Sequence, residues 1–301
     1  MKRLPLLIYL LLLAVLLSAC SSQPEPAQVA ATTLPVWEFT TKLCENTPVT
    51  VTRLVTEQVS CLHDYSLNVR QVKAAEAAEL IVISGAGLEE FMEDILHDVK
   101  TLDASQGIDL ICPEDGGHDH EHEEHSDVHS HEGHHHDQDP HIWLSPANAM
   151  VMAENICHGL TVQYPAYAVQ FSANLQALQK DLADLQTYGY SQLKDLSCRE
   201  LITFHDGFSY FADSFGLTIL EAVEEESGSE ASAKELIHLI EEVEHHQLPA
   251  IFTEISGSVS AAQIISRETG ASSHALDMAM AGDSYFDAMY HNIDTIKEAL
   301  Q

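Results

Sequence analysis

The sequence predicts an α/β protein with two Rossmann-like lobes, each built on a parallel sheet, joined by one long helix. Short apolar runs alternate with amphipathic helical patterns along the chain, which is typical of βα units around parallel strands. One amphipathic stretch of roughly thirty residues, within residues 166–198, interrupts this alternation and is longer than one lobe requires. The 301 residues are also enough for two lobes with a core each.

The first twenty residues carry the pattern of an export signal. An uncharged apolar stretch over residues 4–17 follows Lys2 and Arg3 and is too short to span a bilayer comfortably. We therefore expect a signal peptide over residues 1–19. Residues 17–20 resemble a bacterial lipobox, so Cys20 would carry lipid and residues 20–27 would tether an extracytoplasmic protein to the cell membrane. A plain secretory signal with an incidental cysteine is the alternative.

The charge balance is strongly acidic, with a formal net charge of −34 at pH 7. Residues 1–19 contain two basic residues and no acidic one, so their removal changes the net charge to −36. Such a surface repels phosphates, which argues against nucleic acid as a partner, and it raises the local concentration of cations. A charge that merely keeps the protein soluble is an equally good interpretation.

The amino-terminal lobe is expected over residues 28–165. A helix is predicted to begin at Pro146, with Ser145 as its cap. Three further helices are predicted at residues 35–44, 68–78 and 89–98. Strands are predicted at residues 28–32, 49–54 and 80–83.

The linking helix is expected over residues 166–198, at a length of about 45 Å that would tie two lobes together. Two helices broken at Gly189 are the alternative. The carboxy-terminal lobe is expected over residues 199–301. Its strands are predicted at residues 200–203, 218–223, 250–253 and 274–276. Its helices are predicted at residues 207–215, 232–246, 260–269 and 284–300.

A histidine-rich run lies within a predicted loop at residues 113–139, which has no apolar periodicity. Neutral imidazoles and carboxylates offer borderline ligands to Zn, Ni or Cu, and protons should compete as the pH falls. A flexible run suits sampling of metal better than holding one ion, and a solvated loop without function is the alternative. The nine histidines are His118, His120, His122, His125, His129, His131, His134, His135 and His136.

Three isolated histidines and one aspartate form a second group of candidates. His63, His141, His205 and Asp277 each lie where we expect a strand end or the loop that follows it. Taken singly, each could be an ordinary hydrogen-bonded residue. Together they would give a closed tetrahedral shell of three nitrogens and one oxygen around zinc, which only folding could assemble. His274 is a fallback candidate.

Five cysteines remain beyond Cys20, and we assign them no role. Their number is odd, and no CxxC pair occurs that would indicate a thiolate metal site.

Around the isolated candidates the chain resembles the solute-binding proteins of cluster A-I, which deliver zinc or manganese to ABC importers. The stretch around His141 is the most specific, and the likeness covers essentially all of the chain after the signal. The matching stretches are residues 61–67 (CLHDYSL), 139–146 (DPHIWLSP), 204–211 (FHDGFSYF), 251–254 (IFTE) and 282–285 (GDSY).

The resemblance implies a metal in the cleft between the lobes, with His63 and His141 from the first lobe and His205 and Asp277 from the second. Manganese members usually have a glutamate at the position of His205, so Zn²⁺ is favoured over Mn²⁺. It also implies a bacterial, lipid-anchored monomer whose partners are the permease and ATPase of a zinc importer. Ala231 departs from the family, which tends to have proline there, and this puts the permease contact in doubt.

Three other functions are considered. A zinc hydrolase would need an open position for water and a general base, for which Glu254 or Asp206 could serve. No HExxH motif or nucleophile elbow occurs, so an enzyme is not expected. A manganese-type member of the cluster and a metal-buffering surface adhesin are the remaining alternatives.

Overall fold

The computed structural model describes residues 28–59, 62, 65–112, 138–223, 231–255 and 257–301. Within these ranges the chain forms two four-stranded sheets in which every paired strand is parallel. The predicted α/β class with two parallel sheets is confirmed. The signal peptide, Cys20, His63 and the nine histidines of the run lie outside the described residues, and the domain boundaries stay a prediction.

The first sheet has the strand order β2-β1-β3-β4. Its buried strands are β1 (Val29–Ala31) and β3 (Leu80–Ile83), where continuous apolar runs match a sheet covered on both faces. The other two are β2 (Val51–Arg53) and β4 (Thr101–Asp103). The sequence analysis missed β4, because its three residues are half-buried and include one apolar side chain only.

Four helices accompany this sheet: α1 (Leu34–Leu43), α2 (Val69–Ala77), α3 (Glu93–Leu96) and α4 (Pro146–Gln163). Ser145 caps α4 by accepting a hydrogen bond from the Asn148 N–H, as predicted. This sheet and α1–α4, with the segments between them, are the amino-terminal lobe.

The predicted helix over residues 89–98 is confirmed only in part, since residues 90–96 are helical but do not form one regular helix. The structure has a 3₁₀ turn (Glu90–Met92) followed by the single turn α3. The reason is that the Glu89 side chain folds back and accepts hydrogen bonds from the backbone N–H groups of Ser84 and Gly85, at 2.7 and 3.0 Å. The Glu89 carboxylate thus binds the backbone N–H groups directly after β3, and the Glu89 residue does not continue into a regular helix.

The linking segment is one continuous helix, α5 (Ala168–Leu193), preceded by a 3₁₀ turn (Pro165–Tyr167). Its 26 residues correspond to about 39 Å. The alternative of a break at Gly189 is wrong. A β-carbon at Gly189 would lie 2.2 Å from the Phe215 ring, so this glycine permits close packing rather than ending the helix.

The second sheet repeats the order of the first, as β6-β5-β7-β8. Its strands are β5 (Glu200–Thr203), β6 (Thr218–Ala222), β7 (Ala250–Glu254) and β8 (Ser272–Leu276). The helices beside it are α6 (Ser209–Phe215), α7 (Ala233–His246), α8 (Ser260–Thr269) and α9 (Tyr285–Leu300). This sheet and α6–α9 are the carboxy-terminal lobe, and all eight elements lie close to their predicted positions.

A strap over residues 278–285 connects β8 to α9 and is bonded to the opposite lobe. Carbonyl groups at every second residue of the strap accept hydrogen bonds from donors of the amino-terminal lobe. The acceptors are the carbonyls of Met278, Met280 and Gly282. The donors are the Trp143 indole N–H at 2.8 Å, the Leu34 backbone N–H at 3.1 Å and the Arg53 guanidinium at 2.7 Å. The strap that follows Asp277 in the chain therefore ties the two lobes together.

Candidate metal centre

Two of the predicted ligands meet between the lobes. The Nε2 atoms of His141 and His205 lie 3.2 Å apart, with the ring planes nearly perpendicular at 87°. Both residues are buried, each with 3% of its surface exposed. Two nitrogens bound to one tetrahedral zinc lie roughly 3.3 Å apart, since each is about 2.0–2.1 Å from the ion. The observed separation therefore fits a pair of imidazoles that share a metal.

His205 reaches this point because of the strand order in its lobe. It follows β5, and β7 ends at Glu254 beside it, so the two residues flank the position where the strand order reverses. Open parallel sheets bind ligands at this edge. The prediction that His205 lies just beyond a strand end is confirmed.

His141 lies in the connection that follows β4, as predicted, but far along the chain from the strand end. It is the last residue before a 3₁₀ turn (Ile142–Leu144) and follows β4 only at the end of a long connection. The turn buries its three apolar side chains, and Trp143 stacks edge-on against the His141 ring with centroids 5.4 Å apart. Packing of this turn, rather than a strand end, fixes the imidazole.

Each imidazole has a buried carboxylate on its other nitrogen. Asp139 Oδ1 lies 2.8 Å from His141 Nδ1 and also accepts the His141 backbone N–H at 2.9 Å. Glu254 Oε1 lies 3.1 Å from His205 Nδ1. A carboxylate beside Nδ1 favours the tautomer with the proton on that nitrogen and makes Nε2 a better metal ligand. The two Nε2 atoms lie at the separation expected for two nitrogens bound to one zinc ion.

Asp139 corrects the predicted extent of the histidine-rich loop. Residues 113–139 are predicted to be a mobile loop, but Asp139 is 7% exposed and its backbone N–H bonds the Ile111 carbonyl at 2.8 Å. The Tyr210 hydroxyl donates to the Asp139 carbonyl and accepts the Ile111 N–H, each at 2.9 Å. Burial raises the pKa of Tyr210 to about 12, so the hydroxyl keeps its proton. These bonds fasten both ends of the segment to the site.

Gly207 leaves the space in which the two rings approach each other. A β-carbon on this residue would lie 2.7 Å from His205 Cδ2, 2.7 Å from Met278 Cε and 3.0 Å from His141 Cε1. Only glycine fits between these three side chains. The sequence analysis named Gly207 as part of a matching stretch and did not recognise this steric role.

Asp277 follows β8 directly, as predicted, and is half-buried. Its Oδ1 accepts the Ala279 backbone N–H at 2.8 Å, and its own N–H donates to Asn292 Oδ1 at 2.7 Å. Burial raises the pKa of the carboxyl, while the Ala279 bond and the charge of His291 lower it. Asn292 thus anchors the Asp277 backbone. The role of Asp277 as a metal ligand stays a prediction.

The described residues contain no group of three or more His, Cys, Asp or Glu side chains arranged to hold a metal ion. The structure brings His141 and His205 together, does not bring Asp277 into such a group, and leaves His63 outside the description. The fallback His274 lies in β8 with its Nε2 2.9 Å from the Ser272 hydroxyl, a local contact. Within the described ranges, which leave out Cys20 and Cys61, the cysteines Cys44, Cys112, Cys157 and Cys198 form no disulfide.

The residues that sequence reasoning missed are the orienting carboxylates. Asp139 and Glu254 both lie in stretches that matched the family, and Glu254 was considered as a base for catalysis only. Their positions gave a signal in the sequence: Asp139 lies two residues before His141, and Glu254 lies at the end of an apolar strand. Metal-bound histidines commonly donate their other N–H to a carboxylate, so a nearby acid is worth seeking for each candidate.

Comparison with known proteins agrees with this geometry. The family model for the periplasmic zinc-uptake complex component A, ZnuA, matches residues 29–299. The zinc-binding lipoprotein AdcA of Streptococcus pneumoniae serotype 4 is 31% identical over 321 residues, which cover 99% of this chain and 61% of AdcA. The chain thus spans about three fifths of the length of that relative.

Two solved structures share the fold. A crystal structure of ZnuA is 27% identical with a TM-score of 0.76, covering 91% of this chain and 100% of the other. A zinc-bound deletion mutant of ZnuA is also 27% identical, with a TM-score of 0.74 and coverage of 91% and 98%. Among the residues described for this chain, we find no helix long and apolar enough to cross a membrane.

Proposed function

Since the chain belongs to the ZnuA family of periplasmic zinc-uptake components, we propose that it is an extracytoplasmic lipoprotein that captures Zn²⁺ and delivers it to an ABC importer. The observation that carries this proposal is the pair of Nε2 atoms, 3.2 Å apart, with a carboxylate on each Nδ1. This arrangement suits a cation shared by the two rings, and imidazole is a good ligand for zinc. His63 and Asp277 would complete a closed shell of four ligands.

The function is binding without chemistry. A zinc hydrolase needs a general base that can reach a metal-bound water. Glu254, the better candidate on paper, is 6% exposed and its Oε1 faces His205 Nδ1, which suits orientation of the ligand instead. The ion is therefore cargo, and its release on the permease would require the cleft to open.

The location and partners rest on the resemblance to AdcA and ZnuA. AdcA is a zinc-binding lipoprotein, and the family model is that of a periplasmic zinc-uptake component. Lipid on Cys20, a permease and an ATPase as partners, and a monomeric state belong to the proposal. The histidine-rich run would act as a collector of metal near the cleft, with Mn²⁺ as a weaker cargo.

The test is calorimetry on five forms of the metal-free protein. The unaltered chain and a form lacking residues 113–137 should each bind one zinc ion tightly. His63→Ala and His141→Ala should each lose the tight site, because a buried imidazole ligand is removed. His158→Ala, a histidine of α4 outside the site, serves as control. If tight binding disappears with the run and survives in His63→Ala, the assignment of the site is wrong.

A further inference from the structure

The hydroxyl group of Tyr210 lies between two backbone segments of the opposite lobe. Tyr210 is the second residue of α6 in the carboxy-terminal lobe, and 4% of its surface is exposed. Its hydroxyl donates to the Asp139 carbonyl and accepts the Ile111 N–H, each at 2.9 Å. Both of these backbone groups belong to the amino-terminal lobe. The hydroxyl is therefore a contact between the lobes that acts as donor and as acceptor at once.

The inserted hydroxyl takes the place of one backbone hydrogen bond between Ile111 and Asp139. Two residues that lie opposite each other in an antiparallel pair can exchange two N–H···O=C bonds directly. Here the Asp139 N–H bonds the Ile111 carbonyl directly, at 2.8 Å. The return connection, from the Ile111 N–H to the Asp139 carbonyl, runs through the hydroxyl. The spacing of these two backbone segments thus depends on a side chain of the other lobe.

The same hydroxyl connects the segments that carry the two imidazoles. His205 lies five residues before Tyr210, and His141 lies two residues after Asp139. Asp139 Oδ1 lies 2.8 Å from His141 Nδ1 and accepts the His141 backbone N–H at 2.9 Å. A shift of the Asp139 backbone would therefore displace the carboxylate that orients the His141 ring.

We propose that Tyr210 is a positioning residue of the metal centre, which transmits closure of the lobes to His141 through Asp139. This role rests on the proposed function, because it concerns the same zinc site. With the lobes closed, the hydroxyl holds the Asp139 backbone, and the carboxylate makes His141 a better ligand. When the lobes separate, the hydroxyl withdraws, Ile111 and Asp139 can pair directly, and the carboxylate moves. His141 then binds zinc less tightly as the cleft opens for release.

The test is a double-mutant cycle on zinc affinity, with Tyr210→Phe, Asp139→Asn and the double variant. Tyr210→Phe keeps the buried ring and removes the hydroxyl alone. We expect it to weaken zinc binding by about tenfold, the lower end of the range for residues that support metal-bound histidines. In the Asp139→Asn background the same substitution should weaken binding by less than about threefold, because residues that act through one contact are not additive.

Tyr285→Phe is the matched control. Its hydroxyl is also buried and donates to a backbone carbonyl of the amino-terminal lobe, that of Trp143, at 2.8 Å. If Tyr210 served only to stabilise the contact between the lobes, both tyrosine variants would weaken zinc binding alike, and Asp139→Asn would leave each loss unchanged. We expect this additivity for Tyr285→Phe alone. An additive cycle for Tyr210→Phe, or an unchanged zinc affinity, overturns the role of Tyr210.

A second measurement uses the unaltered chain, so that the role of Tyr210 stays testable if Tyr210→Phe folds poorly. Coupling is reciprocal: if the Tyr210 bonds favour zinc binding, zinc must strengthen these bonds. Hydrogen exchange of the Ile111 amide, followed by NMR, should therefore slow by about tenfold in the zinc-loaded protein. The Gln247 amide, at the exposed end of α7, should exchange equally in both forms. An Ile111 amide that exchanges at the same rate with and without zinc overturns the coupling.

The outcomes separate the role of Tyr210 from zinc capture itself. If His141→Ala loses tight zinc binding while the Tyr210→Phe cycle is additive, the role of Tyr210 is overturned and zinc capture stands. If tight binding survives in His141→Ala, zinc capture at this site and the role of Tyr210 are overturned together.

Discussion

The Trp143 indole N–H donates to the Met278 carbonyl across the seam between the lobes, at a distance of 2.8 Å. Both residues lie next to the candidate site: Trp143 packs on His141, and Met278 follows Asp277 in the chain. The Tyr285 hydroxyl continues this connection by donating to the Trp143 carbonyl at 2.8 Å. One tryptophan therefore links the packing of a proposed metal ligand, His141, to the contact between the lobes.

Trp143→Phe should lower the free energy of unfolding of the metal-free protein by about 1–3 kcal/mol, because it leaves the buried Met278 carbonyl without its donor. Urea denaturation measures this change. Trp37→Phe is the comparison, since that indole is partly exposed and contacts the Arg53 guanidinium through its ring face rather than by a hydrogen bond to the strap. Equal stabilities of the two variants would contradict a special role for the Trp143 bond.

Asp139→Asn should weaken zinc binding by about 10–100-fold, the range found when a partner of a metal-bound histidine is lost. The amide keeps an oxygen near His141 Nδ1 but removes the negative charge that makes Nε2 a better ligand. Competition with a zinc chelator of known affinity measures the effect. Asp195→Asn, at an exposed position after α5, should bind zinc as the unaltered chain does. An Asp139→Asn affinity within a factor of two of the unaltered chain would refute the orienting role.

Gly207→Ala should reduce zinc affinity by at least tenfold, because the added β-carbon would force the His141 and His205 rings apart. The same chelator competition measures this loss. Gly159→Ala is a matched control, since its β-carbon would meet Leu102 at 1.7 Å, in the amino-terminal lobe away from the site. Both variants should be less stable, and only Gly207→Ala should bind zinc poorly. Equal zinc affinities would show that the rings adapt to the added methyl group.

The repeating parts of the fold could be predicted from the sequence because each has a local cause. The strands β3 and β5 are short apolar runs bounded by polar residues, and their predicted limits match the structure. Ser232 caps α7 and Ser284 caps α9, as a serine directly before a helical pattern indicates. These features depend on neighbours in the chain, which a sequence displays directly.

The errors arose where distant residues decide the structure. Glu89 looks like the first turn of a helix, but its carboxylate is used to bind the ends of β1 and β3. Gly189 looks like a helix breaker, but Phe215 packs on it. The pairing of His141 with His205 could be expected from the resemblance alone, since 64 positions separate them.

Glu89 occupies the edge of the first sheet where the strand order reverses, the position that corresponds to the metal site of the second. Its carboxylate accepts the Thr32 hydroxyl at 2.6 Å and the Ser84 and Gly85 N–H groups. Burial raises the pKa of Glu89 to about 7, with a smaller rise from the charge of Asp103, and the three donors oppose these effects. The group is therefore ionised in the folded protein only near neutral pH and above.

The stability of the metal-free protein should depend on pH through this carboxyl. In the unfolded chain the pKa of a glutamate is about 4.3, so between about pH 4.5 and 7 the folded state holds a proton that the unfolded state has lost. Glu89 thus adds stability at low pH, and this contribution is lost as the pH rises through about 7. The unfolding free energy of the unaltered chain, relative to Glu89→Gln, should be higher at pH 5 than at pH 8.

Glu57→Gln provides a control whose effect should be the same at pH 5 and pH 8, because the pKa of Glu57 is lowered and both values lie above it. The Tyr65 hydroxyl donates to the exposed Glu57 carboxylate and lowers its pKa, with smaller contributions from the backbone and Gln71. The stability that Glu57 adds is therefore present at both values and lost as the pH falls through its lowered pKa. Urea denaturation of both variants and the unaltered chain at pH 5 and pH 8 gives the two comparisons. A Glu89→Gln difference that is the same at both values would mean that the carboxyl is ionised in the folded protein across the whole range.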